Sequence, residues 1–181
     1  MNRLSLPTPA QAPAASQPLL AQIQQAFGST PQMFRTVALS PAALQALWAF
    51  FGALGGGTLG AKLGEQIAVA VADRNRCEYC LAAHTALGRK AGASSEELRA
   101  AQQGESADPR TAAALRFALQ LVEHRGQLSD ADLQGLRAAG FTEGETVEIL
   151  AHVALNLFTN YVNVAFRVPV DFPPVPLSRA A

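Results

Sequence analysis

The sequence predicts an all-α protein, a compact bundle of about eight helices, some of them short. No segment between turn signals shows the alternation of apolar and polar residues that is typical of a strand. Capping boxes begin helices at Ser94 and Thr142, where a hydroxyl residue is followed three positions later by Glu. Apolar residues recur at helical spacing after these signals, which favours amphipathic helices packed around one core.

Length and composition predict one folded domain with an N-terminal extension. A chain of 181 residues can bury a sizeable core. Residues 1–17 are rich in Ala, Pro, Gln and Ser, and we expect an extended arm laid on the domain or on a neighbour. Residues 18–181 are predicted to form the single helical domain.

The charge and apolar content exclude several classes of partner. The 14 basic and 14 acidic residues give a formal net charge of zero, so no electrostatic footprint for nucleic acid or an anionic membrane exists. The sequence has no uninterrupted apolar run of membrane-spanning length, and prolines break up the N-terminus, so we expect no span, no secretory signal and a cytoplasmic location. The 49% apolar content favours a homo-oligomer that buries apolar surface between subunits.

Four helices are predicted before the first cysteine. Their start signals are Ser16, Thr30, Ser40 and Thr58. The third helix carries an aromatic cluster around Trp48 and Phe51, which we assign to the core or to a subunit interface. Glycines at 55–57 end it, and they lack the preceding strand and the Lys-Ser/Thr pair of a phosphate-binding loop. The fourth helix is apolar at every position from 67 to 72, which predicts burial on all sides.

The second half of the chain is predicted to contain further helices over about 94–103, 108–124, 129–139 and 142–166. His124 lies at a helix end, where a charge–dipole role is expected. His152 lies among apolar residues of the last helix, which favours a core or interface position. On the same helix a polar ridge repeats at helical spacing through Asn156, Asn160 and Asn163, and we expect these amides to bond between helices or between subunits.

Both cysteines lie in one short stretch with a histidine. Asn75 is predicted to cap a helix that starts at residue 76, with Glu78 completing a capping box. On that helix Cys77, Cys80 and His84 fall within an arc of about 60°. The two thiols can then close a disulfide, and His84 can reach the sulfur of Cys80 directly or through one water.

This arrangement suits thiol redox chemistry. A thiol at a helix N-terminus has a lowered pKa, because the positive end of the helix dipole stabilises the thiolate. A neighbouring imidazole can accept or return the proton. A second thiol one turn away can resolve a sulfenic acid or a mixed disulfide. The sequence therefore predicts a dithiol redox catalyst.

The spacing of four residues resembles a known family. Glu65, Cys77, Cys80 and His84 match the pattern E-x11-C-x2-C-x3-H of the alkylhydroperoxidase D-like proteins, which belong to the carboxymuconolactone decarboxylase superfamily. The likeness continues through residues 108–173, where Phe141 and the segments 156–163 and 170–173 are similar to the peroxidase-related branch. The resemblance implies the alkylhydroperoxidase D-like helical fold.

It also implies roles for the four residues. Cys80 would attack a peroxide or an incoming disulfide, and Cys77 would resolve the product to a Cys77–Cys80 disulfide. His84 and Glu65 would relay protons to Cys80. Described members of the family have a second histidine where this chain has Tyr79, which is a poor proton shuttle at neutral pH.

The resemblance further implies partners for the reaction. No bound cofactor is expected. Electrons would come from an external dithiol, on a lipoylated or thioredoxin-like donor protein, and the homo-oligomer would be a trimer or a hexamer.

Three other functions are compatible with the same residues. Cys77, Cys80, His84 and Glu65 are ligand types that zinc accepts, although positions on one helix surround a tetrahedral ion poorly. A cofactor-free decarboxylase or isomerase of the carboxymuconolactone type would use His84 as its general base. A non-catalytic protein would use the dithiol to sense oxidation and change an interaction surface.

Overall fold

The computed structural model describes residues 2–178, and every regular element in this range is helical. The predicted all-α bundle is confirmed, with nine α-helices in the described range where about eight were expected. The helices are α1 Gln17–Phe27, α2 Gln32–Val37, α3 Pro41–Gly55, α4 Ala61–Arg74, α5 Glu78–Lys90, α6 Ser95–Gln102, α7 Pro109–Glu123, α8 Asp130–Ala138 and α9 Glu143–Phe166.

Helix α4 forms the centre of the bundle. It packs against α5, α6, α7 and α9. Its residues 67–72 are all buried, with exposed fractions of 2% or less, which confirms the burial predicted from the unbroken apolar run. Because α4 carries Glu65 and leads into the cysteine segment, the candidate site is anchored to the most buried helix.

Side-chain caps fix the later helix starts where the sequence predicted them. The hydroxyls of Ser94 and Thr142 each accept a hydrogen bond from the backbone N–H three residues later. Ser129 caps α8 in the same way, and the Asp108 carboxylate caps α7. These caps satisfy backbone donors that the first helical turn leaves without partners.

Two predicted helix starts in the first third are wrong. Helix α4 begins at Ala61, because the Glu148 carboxylate on α9 binds the N–H groups of Thr58 and Leu59 and holds that segment as a loop. Pro31 caps α2, and the Thr30 hydroxyl donates instead to the Gln24 side chain.

Helix α1 begins at Gln17 as predicted, but the Ser16 side chain and the arm differ from the prediction. The Ser16 hydroxyl donates to the Ala38 carbonyl at 2.8 Å and does not cap α1. The arm contains two short 3₁₀ turns, Pro9–Gln11 and Ala14–Ser16, so it is not extended throughout. The Arg35 guanidinium donates to the carbonyls of Leu6 and Pro7, which ties the arm to its own domain.

Helix α9 is the longest element, with 24 residues. By length and composition it could cross a membrane, a test that central helices of globular bundles also pass. Its buried side includes Asn156, Asn160 and Asn163, and it contacts α3, α4, α5 and α7. This polar, packed side places α9 within the bundle and brings three amides to the candidate site.

Candidate redox site

Helix α5 begins at Glu78 and not at residue 76 as predicted, which changes where the two sulfur atoms lie relative to the helix end. Asn75 ends α4, and its side chain donates to the Asn160 Oδ1 at 3.0 Å. Arg76 has a φ of 55°, which turns the chain out of helical geometry between α4 and α5. Cys77 is therefore the N-cap residue itself, and the predicted Asn75 cap is wrong.

The two cysteines form a disulfide across the first turn of α5. The Cα atoms of Cys77 and Cys80 are 5.3 Å apart, within the range that suits a disulfide. The Cys77 Sγ also accepts a hydrogen bond from the Cys80 N–H at 3.2 Å. Both residues are buried, with exposed fractions of 1% and 2%. The disulfide thus lies at the positive end of a helix and away from bulk solvent.

The predicted histidine–carboxylate pair lies beside the disulfide. The Nδ1 of His84 on α5 is 2.8 Å from the Oε2 of Glu65 on α4, and both side chains are largely buried. This contact orients the imidazole and leaves Nε2 as the ring nitrogen available for exchange with another group. The structure thus brings all four sequence-predicted residues into one region.

Asn163 is a site residue that the sequence placed on the polar ridge of α9 but did not assign to the cysteines. Its Nδ2 donates to the Cys80 Sγ at 3.1 Å, from the last turns of α9. Asn160 bonds to Asn75, so the expected hydrogen bonds between helices are confirmed for two of the three ridge residues. Asn156 instead donates to the His152 carbonyl of its own helix. The helical spacing of the three amides predicted contacts between helices. It could not identify the Cys80 sulfur as the partner of Asn163.

Cys80 lines a cavity of about 60 Å³ whose walls are mainly apolar. His84, Asn156 and Asn163 supply polar groups to the same wall. The rest of the wall combines aliphatic residues with five aromatic side chains, which are Phe27, Phe34, Phe51, Tyr79 and Phe172. Phe51 therefore belongs to the candidate site as well as to the aromatic cluster with Trp48, which the sequence assigned to core or interface.

Tyr79, which lies between the two cysteines, contributes hydrogen bonds and ring packing to the cavity wall. Its hydroxyl accepts from the Met33 N–H at 3.3 Å and interacts with the Asp171 carboxylate, while its ring packs edge-on against Phe172 at 5.6 Å between centroids. Burial, and secondarily the Asp171 contact, raises the pKa of Tyr79 well above its ordinary value. Tyr79 thus has a structural role in the cavity wall, and its hydroxyl stays protonated.

His152 lies between α9 and α4, close to the histidine–carboxylate pair. A Cβ added at Gly64 would lie 2.9 Å from its ring, so the glycine permits this close approach. Burial lowers the pKa of His152, and the nearby carboxylates of Glu148 and Glu65 oppose this only in part. The half-buried position agrees with the packing role predicted from the sequence.

The metal-site alternative has no geometric support in the described part of the chain. Across residues 2–178, no group of three His, Cys, Asp or Glu side chains is placed to hold a metal ion. Glu65 contacts the ring of His84, and the two cysteines are bonded to each other.

Comparison with known proteins shows which proteins this fold and site resemble. Residues 41–124, which include Glu65, both cysteines and His84, match the model of the carboxymuconolactone decarboxylase family. No curated protein matched the chain by sequence.

Solved structures share the whole fold. The alkylhydroperoxidase AhpD core of an uncharacterized peroxidase-related protein from Ralstonia eutropha JMP134 is 27% identical, with 94% of this chain and 92% of that chain covered and a TM-score of 0.84. An uncharacterized peroxidase-related protein from Silicibacter sp. TM1040 is 26% identical, with 96% and 92% covered and a TM-score of 0.81. The debrominase Bmp8 is 20% identical over 87% of each chain, with a TM-score of 0.75, which shows a shared fold alone.

These findings confirm the resemblance stated from the four-residue pattern. The chain has the alkylhydroperoxidase D-like fold and is similar to two peroxidase-related proteins, and its residues 41–124 match the carboxymuconolactone decarboxylase family model.

Proposed function

We propose that this protein is a thiol-dependent peroxidase or disulfide reductase that cycles Cys77 and Cys80 between dithiol and disulfide. The observation that carries the proposal is the position of Cys80, which is joined to Cys77, accepts a hydrogen bond from Asn163 and lines an apolar cavity with His84. The similarity to peroxidase-related proteins supports the same class of reaction.

In the peroxidase reaction the Cys80 thiolate attacks the terminal oxygen of a hydroperoxide. An S–O bond forms, the O–O bond breaks, and the leaving alkoxide takes a proton from His84 to become an alcohol. The Cys77 thiolate then attacks the Cys80 sulfenic acid, which forms the disulfide and releases water once the hydroxide is protonated. An external dithiol returns the two electrons and is itself oxidised to a disulfide.

The protein groups have separate tasks in this scheme. Asn163 stabilises negative charge on the Cys80 sulfur through its N–H donor, and the helix N-terminus acts in the same direction. Glu65 orients His84 and stabilises its charged form when the ring carries the proton. The aromatic wall excludes water, which favours an apolar peroxide or disulfide over a strongly hydrated one.

The decarboxylase alternative fits the cavity less well. A muconolactone carboxylate carries negative charge that a site must pair with a cation. The residues lining the cavity include no Arg or Lys, and His84 is already engaged by Glu65. Activity on such a substrate that survives loss of both cysteines would favour this alternative. Stoichiometric oxidation without turnover would favour the redox-responsive interaction protein.

The predicted assembly and location belong to the same proposal. Helix α9 exposes an apolar stripe over an arc of about 120°. Its residues are Val147, Leu150, Phe158, Tyr161 and Val164. This stripe supports a homo-oligomer, a trimer or a hexamer, and sedimentation equilibrium would measure the number of subunits. The cytoplasmic location and the lipoylated or thioredoxin-like donor protein remain predictions.

The proposed function is tested by oxidation of the reduced protein with cumene hydroperoxide. We expect an intramolecular Cys77–Cys80 disulfide by mass spectrometry, one equivalent of alcohol per protein, and turnover when a dithiol is supplied. Cys80→Ser should abolish turnover, whereas Cys77→Ser should accumulate a sulfenic acid on Cys80. Full turnover of the Cys80→Ser variant would refute the proposal.

A further inference from the structure

The two sulfur atoms belong to different cavities. Cys80 lines the apolar cavity, and Cys77 does not. Cys77 instead lines a second, more polar groove of about 330 Å³, whose lining does not include Cys80. Only Tyr79 and Asn163 line both spaces. These two side chains therefore separate the surroundings of one sulfur from those of the other.

The second space, which we call the Cys77 groove, lies between the start of α5 and the chain that follows α9. Its charged residues are Arg76, Glu78 and Arg167, all exposed. No salt bridge joins Arg167 to another residue within 2–178. The positive end of α5 and the negative end of α9 both adjoin the groove and largely cancel. Arg167 thus presents to the groove a guanidinium that no salt bridge neutralises among residues 2–178.

We propose that the Cys77 groove admits the reductant and that this reductant is a small dithiol carrying a carboxylate, in place of the donor protein expected from the sequence. This inference rests on the proposed peroxidase or disulfide reductase function. The volume of the groove suits a small molecule. The Arg167 guanidinium attracts an anion, whereas the apolar cavity beside Cys80 offers no Arg or Lys to one.

The chemistry of disulfide reduction favours attack at Cys77. A donor thiolate that attacks the Cys77 Sγ forms a mixed disulfide there and breaks the Cys77–Cys80 bond. The electron pair leaves on the Cys80 Sγ, which already accepts a hydrogen bond from Asn163. A better stabilised leaving thiolate departs faster. The second thiol of the donor then attacks the mixed disulfide, which releases the oxidised donor and a Cys77 thiolate that takes up the proton of that thiol.

Two dithiols that differ only in charge test the recognition of the carboxylate. Dihydrolipoate carries a carboxylate, and dihydrolipoamide carries a neutral amide in its place. We expect the oxidised protein to be reduced faster by dihydrolipoate, and Arg167→Glu to lower the dihydrolipoate-to-dihydrolipoamide rate ratio by about fivefold at low salt. Oxidation by cumene hydroperoxide should be unchanged in this variant. Arg116→Glu on α7 makes the same charge change away from the groove and should leave the ratio unchanged.

The position of the first mixed disulfide gives an independent readout. The oxidised protein is mixed briefly with glutathione, quenched with acid, alkylated and fragmented by mass spectrometry. We expect glutathione on Cys77 and the alkyl group on Cys80. Glutathione on Cys80, or a rate ratio insensitive to Arg167→Glu, would overturn this inference while leaving the redox function intact. Failure of every peroxide and disulfide to oxidise the dithiol would instead overturn the proposed function.

Discussion

The contact between Asn163 and Cys80 leads to a quantitative prediction. Asn163→Ala removes the N–H donor that lies 3.1 Å from the Cys80 Sγ. In the reduced protein this donor stabilises the thiolate more than the thiol, and a hydrogen bond to a charged group contributes about 1.5–3 kcal/mol. Water that enters the space restores part of this stabilisation, so we expect a net loss of about 1.4 kcal/mol, which raises the pKa of the Cys80 thiol by about one unit.

The rate of peroxide reduction should change less than the fraction of thiolate. A pKa higher by about one unit lowers the thiolate fraction about tenfold when the assay pH lies below the pKa. The remaining thiolate is a stronger nucleophile, because nucleophilicity rises with pKa with a coefficient of about 0.4–0.5. The second-order rate constant should therefore fall about threefold. Measuring both quantities on one variant separates thiolate stabilisation from a general disturbance of the site.

The assay is alkylation of reduced protein as a function of pH, with each cysteine followed by mass spectrometry. Asn160→Ala is the matched control, because Asn160 is an equally buried amide on the same helix that bonds to Asn75 and not to sulfur. Asn163→Asp should raise the pKa of Cys80 further than Asn163→Ala does, since it places a carboxylate beside the thiolate. An unchanged alkylation profile in folded Asn163→Ala would refute the role assigned to this amide.

Three further predictions concern the Tyr79 hydroxyl, the His84–Glu65 pair and His152. Tyr79→Phe should lower the free energy of unfolding by about 1–2 kcal/mol, because the hydroxyl contacts are lost, and urea titration with an unchanged m-value would measure this. In steady-state kinetics with cumene hydroperoxide, His84→Ala should lower turnover by about 100-fold or more and Glu65→Gln by about tenfold. Equal rates in the wild type and in both variants would contradict the proton relay. Burial lowers the pKa of His152 below its ordinary value of 6.5, so the unfolded chain binds the proton more readily and stability is lost as the pH falls below that value. His152→Gln should then lose less stability than the wild type between about pH 7.5 and about pH 5.5.

The sequence predicted those features that depend on short-range spacing. The helical class, the caps at Ser94 and Thr142, and the grouping of Cys77, Cys80 and His84 all follow from residues a few positions apart. Glu65 was assigned through the family pattern, and the structure places its carboxylate against His84. Local spacing is sufficient here because one or two helical turns set the geometry.

Features that depend on long-range contacts could not be predicted from the sequence. Glu148 reaches across from α9 to hold Thr58 in a loop, and this delays the start of α4 to Ala61. Asn75 has the residue type and spacing of a cap, but its amide bonds to Asn160, which lies 85 positions further along the chain. The packing of α9 against α4 and α5 decides these partners, and no local signal in the sequence encodes that packing.

The cap of α5 gives the protein an internal reporter of its oxidation state. The Cys80 N–H donates to the Cys77 Sγ, so this amide lies against an atom that changes between disulfide, thiol and thiolate during the proposed cycle. A thiolate accepts hydrogen bonds more strongly than a neutral sulfur does. The backbone resonance of Cys80 should therefore move with the redox state, and NMR could follow the cycle in solution without a label attached to either cysteine.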